Sequence, residues 1–155
     1  QLEVEQDEWG KQADGITAEL KAAIDRAAAN IRKFHESQLQ GEELVETEPG
    51  VICRREIRAI DKVGLYIPGG TAPLFSTVLM LGIPASVAGC REIFMCTPPA
   101  PDGRVRPEIL YAAKVSGVQR IFRAGGIQAI AAMTYGTESI PAASYFLIRP
   151  RTGAL

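Results

Sequence analysis

The sequence predicts an α/β protein: half of a Rossmann-like parallel sheet, in the order β-α-β-α-β-α, preceded by a long amphipathic helix. Three observations predict it. Short apolar runs at 63–67, 92–97 and 118–122 alternate with helix-like stretches, which implies βαβ crossovers and a sheet buried on both faces. The first and third runs lead into paired glycines, Gly69-Gly70 and Gly125-Gly126, where a strand would turn tightly into a helix. Upstream, Leu20, Ile24, Ala27, Ala28, Ile31 and Phe34 recur at three- and four-residue intervals with charges opposite them, which is the apolar stripe of an amphipathic helix.

That helix is expected over 16–39, with Thr17 as its N-cap and Glu19 in the first turn, where the helix dipole favours an anion. Residues 41–50 are acidic and turn-like, and 51–60 mix β-branched residues with Arg and Glu as an exposed strand or hairpin arm would. A strand over 63–67 leads through Pro68-Gly69-Gly70 into a helix over about 73–88. The uncharged run 74–90 approaches the length of a short membrane span. Its Ser76, Thr77, Gly82, Pro84, Ser86 and Gly89, set within the strand–helix repeat, favour a buried helix broken at Pro84. A strand over 92–97, a proline-rich linker over 98–107 and a helix over 108–116 follow. The third strand, over 118–122, leads to a helix from Gly125-Gly126 to about Tyr135. The expected organisation is an N-terminal helical and connecting segment (1–50), an incomplete Rossmann-like cofactor domain (51–141) and a tail (142–155).

At 155 residues the chain has the length of one domain. Its 18 acidic and 17 basic residues nearly cancel, so it lacks the basic excess that a nucleic-acid groove or an anionic membrane surface would call for. Three cysteines, Cys53, Cys90 and Cys96, have neither disulfide-scaffold nor zinc-ribbon spacing, and the expectation is a reduced cytoplasmic protein with core or surface thiols. The polar, acidic opening is unlike a secretory signal, and a start at Gln1 points to a fragment or a processed end. His35 is the only histidine. It lies near the end of the first helix, where a structural role is expected, and no metal site can be assembled from recognisable spacing. The acids Glu42, Glu43, Glu46 and Glu48 read as a solvated loop.

Ligands of open parallel sheets bind outside the carboxyl ends of the strands, and the two glycine-bearing turns fall there. Paired glycines let the backbone approach a ligand, and the helix start behind them offers N–H groups to an anion. They could equally serve only as tight turns. Neither matches G-x-G-x-x-G, and no acidic residue ends a second strand where a ribose is usually held. Tyr66, at a strand end beside the first turn, could stack on or hydrogen-bond a ligand, or be a core-edge aromatic. Gln128 is the conspicuous polar residue of an apolar helix start, with an exposed surface glutamine as the plain alternative.

The run Val-Gly-Leu-Tyr-Ile-Pro-Gly-Gly-Thr-Ala-Pro-Leu-Phe-Ser-Thr-Val-Leu-Met at 63–80 resembles the signature stretch of histidinol dehydrogenases. The likeness continues at 83–90, 108–113, 125–132 and 135–141, and upstream at 34–35 and 46–51, so that it covers about residues 14 to 141. The resemblance implies an aldehyde-dehydrogenase-like fold with a Rossmann-like domain that lacks the usual glycine fingerprint. It also implies a zinc-dependent homodimer that oxidises L-histidinol to L-histidine in two NAD-linked steps through the aldehyde, at the end of histidine biosynthesis. Tyr66 and Gln128 match the family's NAD-contacting tyrosine and glutamine, and Gly69-Gly70 would line the same crevice.

The chain also departs from that pattern. After Pro141 the family continues with a strand and a Gly-Pro-Gly-Asn turn whose asparagine contacts NAD, whereas here 142–155 read differently. If Arg149-Pro150-Arg151 is coded AGG-CCC-CGG, a one-base shift reads Gly-Pro-Gly, which makes a frameshifted tail a hypothesis, although the codon for Thr152 could not then give asparagine. The family's catalytic Glu-His pair and zinc ligands lie beyond this stretch and have no counterpart here, and its helices before residue 16 are expected to be missing. The sequence therefore implies a part of such an enzyme, carrying part of the NAD site and inactive alone. The rival is a nucleotide-binding or interaction module with no reaction of its own.

Overall fold

The computed structural model describes residues 2–70 and 72–148. Thr71 of the first glycine turn and residues 149–155, with the Arg-Pro-Arg of the suggested frame shift, lie outside the described residues. Helix α1 (Gln6–Ala13) precedes the expected first helix, where the family's helices before residue 16 were expected to be missing. Its anchor is Trp9, which is buried and donates its indole N–H to the Leu110 carbonyl at 2.8 Å. Helix α2 (Ala18–Glu36) begins at Thr17 as the sequence indicates, with Oγ1 accepting from the Leu20 amide at 3.2 Å.

Strands β1 (Glu43–Glu48) and β2 (Val51–Arg55) form an antiparallel hairpin. The acidic segment expected to be a turn is therefore mostly strand. Cross-strand charge supplies the reason: Glu43 lies opposite Arg55, with an ion pair at 3.1 Å, and Arg54 reaches Glu42 at 2.8 Å. Every residue of both strands is exposed.

The remaining elements are β3 (Lys62–Tyr66), α3 (Phe75–Val87), β4 (Glu92–Thr97), α4 (Pro107–Ser116), β5 (Arg120–Arg123), α5 (Gly126–Tyr135) and β6 (Tyr145–Ile148). Helix α3 runs through Pro84 without a break. Proline forfeits the bond to the Met80 carbonyl, but Ile83 and Ala85 on either side are buried in the core, and that packing holds the helix together. Among the described residues no helix is long and apolar enough to cross a membrane.

The four later strands make one parallel sheet in the order β5-β4-β3-β6. The chain steps outward from β3 to β5, then returns to the far side of β3. The stretch at 145–148, expected to belong to a divergent tail, thus forms a strand paired with β3. Right-handed crossovers put helices on opposite faces when the direction of travel reverses, and strand alternation shows both faces. Val63, Leu65, Ile67, Ile93, Met95 and Ile121 join the core built with α1 to α4. Phe94, Cys96 and Phe122 face the other way, against Ala129 and Met133 of α5. The N-terminal residues seal the β5 edge: the Val4 amide donates to the Ile121 carbonyl at 2.9 Å, and the Arg123 amide to the Leu2 carbonyl at 2.7 Å. Arg120 clamps Glu3 with two bonds of 2.7 and 2.9 Å, and Arg123 holds Glu8 at 2.8 Å.

Candidate cofactor site at the carboxyl edge of the sheet

Strand order reverses between β3 and β6, and a crevice opens at the carboxyl ends of such a pair. Tyr66, half-buried, is the last residue of β3 and stands opposite Ile148 of β6. Its phenol reaches the start of α5, where Oη accepts from the Gly126 amide at 2.9 Å. The hydroxyl hydrogen stays free to be donated. Gly126 has a φ of 65°, a conformation that a side chain would strain. Gln128, exposed on the first turn of α5, folds back over it: a methyl at Gly126 would lie 2.8 Å from Gln128 Oε1. Tyr66 and Gln128 thus meet at one helix start.

The helix termini at this edge are unequal. Helices α3 and α5, which follow the two glycine turns, have no side-chain cap and no acid in the first turn. By contrast, α2 has Thr17 and Glu19, α1 has Asp7 and Glu8, and α4 has Glu108. Uncapped N–H groups and the positive end of the helix dipole suit an anion. Between the loops that follow β3 and β4 lies a cavity of about 120 Å³, lined by Gly69, Gly70, Thr97, Pro98 and Arg106 among others. Complete small-molecule pockets run to roughly 300–1,000 Å³, so this one could seat only a part of a ligand.

Other titratable candidates stay outside the crevice. His35 sits in the last turn of α2 with Nδ1 2.8 Å from Gln38 Oε1, consistent with its expected structural role. Cys96 is fully buried, and burial pushes its thiol up to about 12. Burial also raises the half-buried Cys90, while Cys53 is exposed on the hairpin. Among the described residues no group of three or more His, Cys, Asp or Glu side chains could hold a metal ion.

One feature of the crevice is invisible in the spacing. A methyl on Gly69 would come within 2.6 Å of Pro98 Cγ, and one on Gly125 within 2.6 Å of Pro98 Cβ. The glycine turns thus close on the first residue after β4. The only sequence signal is that a proline follows a strand directly.

The family model described as histidinol dehydrogenase matches residues 1–147. The chain belongs to the histidinol dehydrogenase family. The match extends past the stretch that the signature motifs mark and takes in both α1 and most of β6. The chain is 58% identical over 140 residues to the histidinol dehydrogenase of Bacteroides thetaiotaomicron, an alignment covering 90% of this chain and 33% of that one. It is 60% identical over 130 residues to the histidine biosynthesis trifunctional protein of Kluyveromyces lactis, covering 83% and 16%. The crystal structure of histidinol dehydrogenase from Elizabethkingia anophelis superposes with a TM-score of 0.93 at 50% identity, over 98% of this chain and 35% of that one. The chain thus spans about a third of the length of single-function histidinol dehydrogenases.

Proposed function

We propose that the chain supplies part of the NAD site of a cytoplasmic, homodimeric, zinc- and NAD-dependent histidinol dehydrogenase that converts L-histidinol to L-histidine through the aldehyde. The observation that carries the reading is the meeting of Tyr66, the Gly126 amide and Gln128 at an uncapped helix start beside the reversal of strand order. Bound NAD would supply the hydride acceptor. The residues fit that group: the Tyr66 hydroxyl can donate, Gln128 can donate and accept, and the start of α5, whose Gly126 amide already meets Tyr66, presents its positive dipole end to a negatively charged group.

Within this reading the chain binds and orients the cofactor. The 155 residues alone are expected not to oxidise histidinol.

Isothermal calorimetry with NAD tests the assignment. The chain should bind NAD, and Tyr66→Ala and Gln128→Ala should each weaken binding about fivefold or more, in line with loss of a hydrogen bond or stacking contact. Failure of NAD to bind, or binding indifferent to both substitutions, would contradict it.

A further inference from the structure

We propose that Pro98 is a positioning residue for the cofactor crevice, a rigid wedge held between the two glycine turns that fixes the Tyr66 turn against the start of α5. The inference rests on the proposed NAD site for its functional meaning and on the packing alone for its structural one. Strand β4 lies between β3 and β5, so the residue that follows it emerges midway along the carboxyl edge. There its ring meets both neighbours: Gly69 lies three residues after the end of β3, and Gly125 two residues after the end of β5. The proline ring locks φ and cannot swing aside as a long flexible side chain would. Closely packed sites transmit such constraints instead of absorbing them.

The two contacts differ in their closest atom, and this gives the wedge a signature. At Gly69 the clash of an added methyl is with Cγ, while Cβ stands off at 3.6 Å. At Gly125 the clash is with Cβ itself, with Pro98 Cγ at 3.2 Å and Cα at 3.3 Å as lesser contacts. Truncation of Pro98 to alanine removes Cγ and keeps Cβ; truncation to glycine removes both. A simple stop to β4, with the glycines needed only for their turns, predicts no such atom-by-atom pattern.

The test is a set of single and double variants of the full chain. Two quantities are read: the NAD dissociation constant, and the exchange protection of the Gly126 amide, which reports its bond to Tyr66. Gly69→Ala and Gly125→Ala should each weaken NAD binding about tenfold and lower Gly126 protection, as overpacking against a rigid ring shifts the turns. Pro98→Ala alone should lower both readouts by a smaller factor. Added to Gly69→Ala it should restore the level of Pro98→Ala alone. Added to Gly125→Ala it should restore little, since the 2.6 Å clash with Cβ remains, whereas Pro98→Gly should restore most of the loss. If Gly125→Ala fails to fold, folding of the Gly125→Ala/Pro98→Gly pair carries the same information. Equal rescue of both glycine variants by Pro98→Ala, rescue of neither, or wild-type behaviour of the single variants would overturn the wedge. If the unmodified chain does not bind NAD, the functional reading fails, while Gly126 protection still decides the wedge.

Discussion

A tyrosine hydroxyl that accepts a backbone N–H has one hydrogen left to give. Tyr66 is in that position, and a phenylalanine there would keep the ring while removing both roles. Because the Gly126 amide is exposed and can turn to water, Tyr66→Phe should leave the melting temperature nearly unchanged. It should weaken NAD binding by about 0.5–1.5 kcal/mol, the net worth of one hydrogen bond; equal NAD affinity in a calorimetric comparison would contradict this. The thiols allow a second residue-scale prediction. With its thiol pushed up to about 12 by burial, Cys96 should resist iodoacetamide at pH 8, while exposed Cys53 reacts, as mass spectrometry of the alkylated native chain can show. Alkylation of Cys96 at the same rate would show that its site opens readily. At this scale the sequence was informative where a motif carries a side chain, as for Tyr66 and Gln128. It was silent where a contact depends on three loops meeting, as for Pro98, because nothing local marks which residue falls between Gly69 and Gly125.

The elements differ in what holds them. Residues 2–4 lie along β5 through two backbone bonds and the Glu3–Arg120 pair. The Arg120 guanidinium keeps the Glu3 carboxyl below its usual range, against a smaller opposing effect of burial. A carboxyl depressed on folding contributes stability above its unfolded value, and that contribution is lost as pH falls through the folded value. Acidification below the ordinary carboxylate range should therefore detach this strap first. Protection factors at the Val4 and Arg123 amides, corrected for the intrinsic pH dependence of exchange, should fall ahead of those in β4, and protection there that stays constant while pH falls would contradict the account. The hairpin β1–β2 has no buried residue of its own, and isolated two-stranded hairpins are marginal in water, so its amides should exchange faster than those of β3 to β5. Helices with strong periodicity were legible from sequence to within a few residues. The hairpin arm at 43–48 was not, since its acidic residues pair with arginines on the other strand and periodicity cannot see that pairing. The strap was hidden for the same reason at longer range: Glu3 and Arg120 are 117 residues apart.

As a whole molecule, the chain shows how a Rossmann-like sheet can be recognised without its glycine fingerprint. Alternating apolar runs and helices were enough to foresee a parallel sheet with helices around it. The fourth strand was not foreseen, because 142–155 read as a divergent tail, whereas the family match runs through residue 147 and the apolar run Tyr145, Phe146 and Leu147 pairs with β3. The carboxyl ends of β3, β4 and β5 bring the two glycine turns, Tyr66 and the start of α5 together, and that edge is the centre of the functional account. The most direct test is a titration of the isotope-labelled chain with NAD, followed by amide chemical shifts. The account predicts saturable shifts concentrated at Tyr66, Gly126 and Gln128 and in the loop after β4. Shifts confined to the hairpin or to the α1 side of the sheet, or none at all, would contradict it.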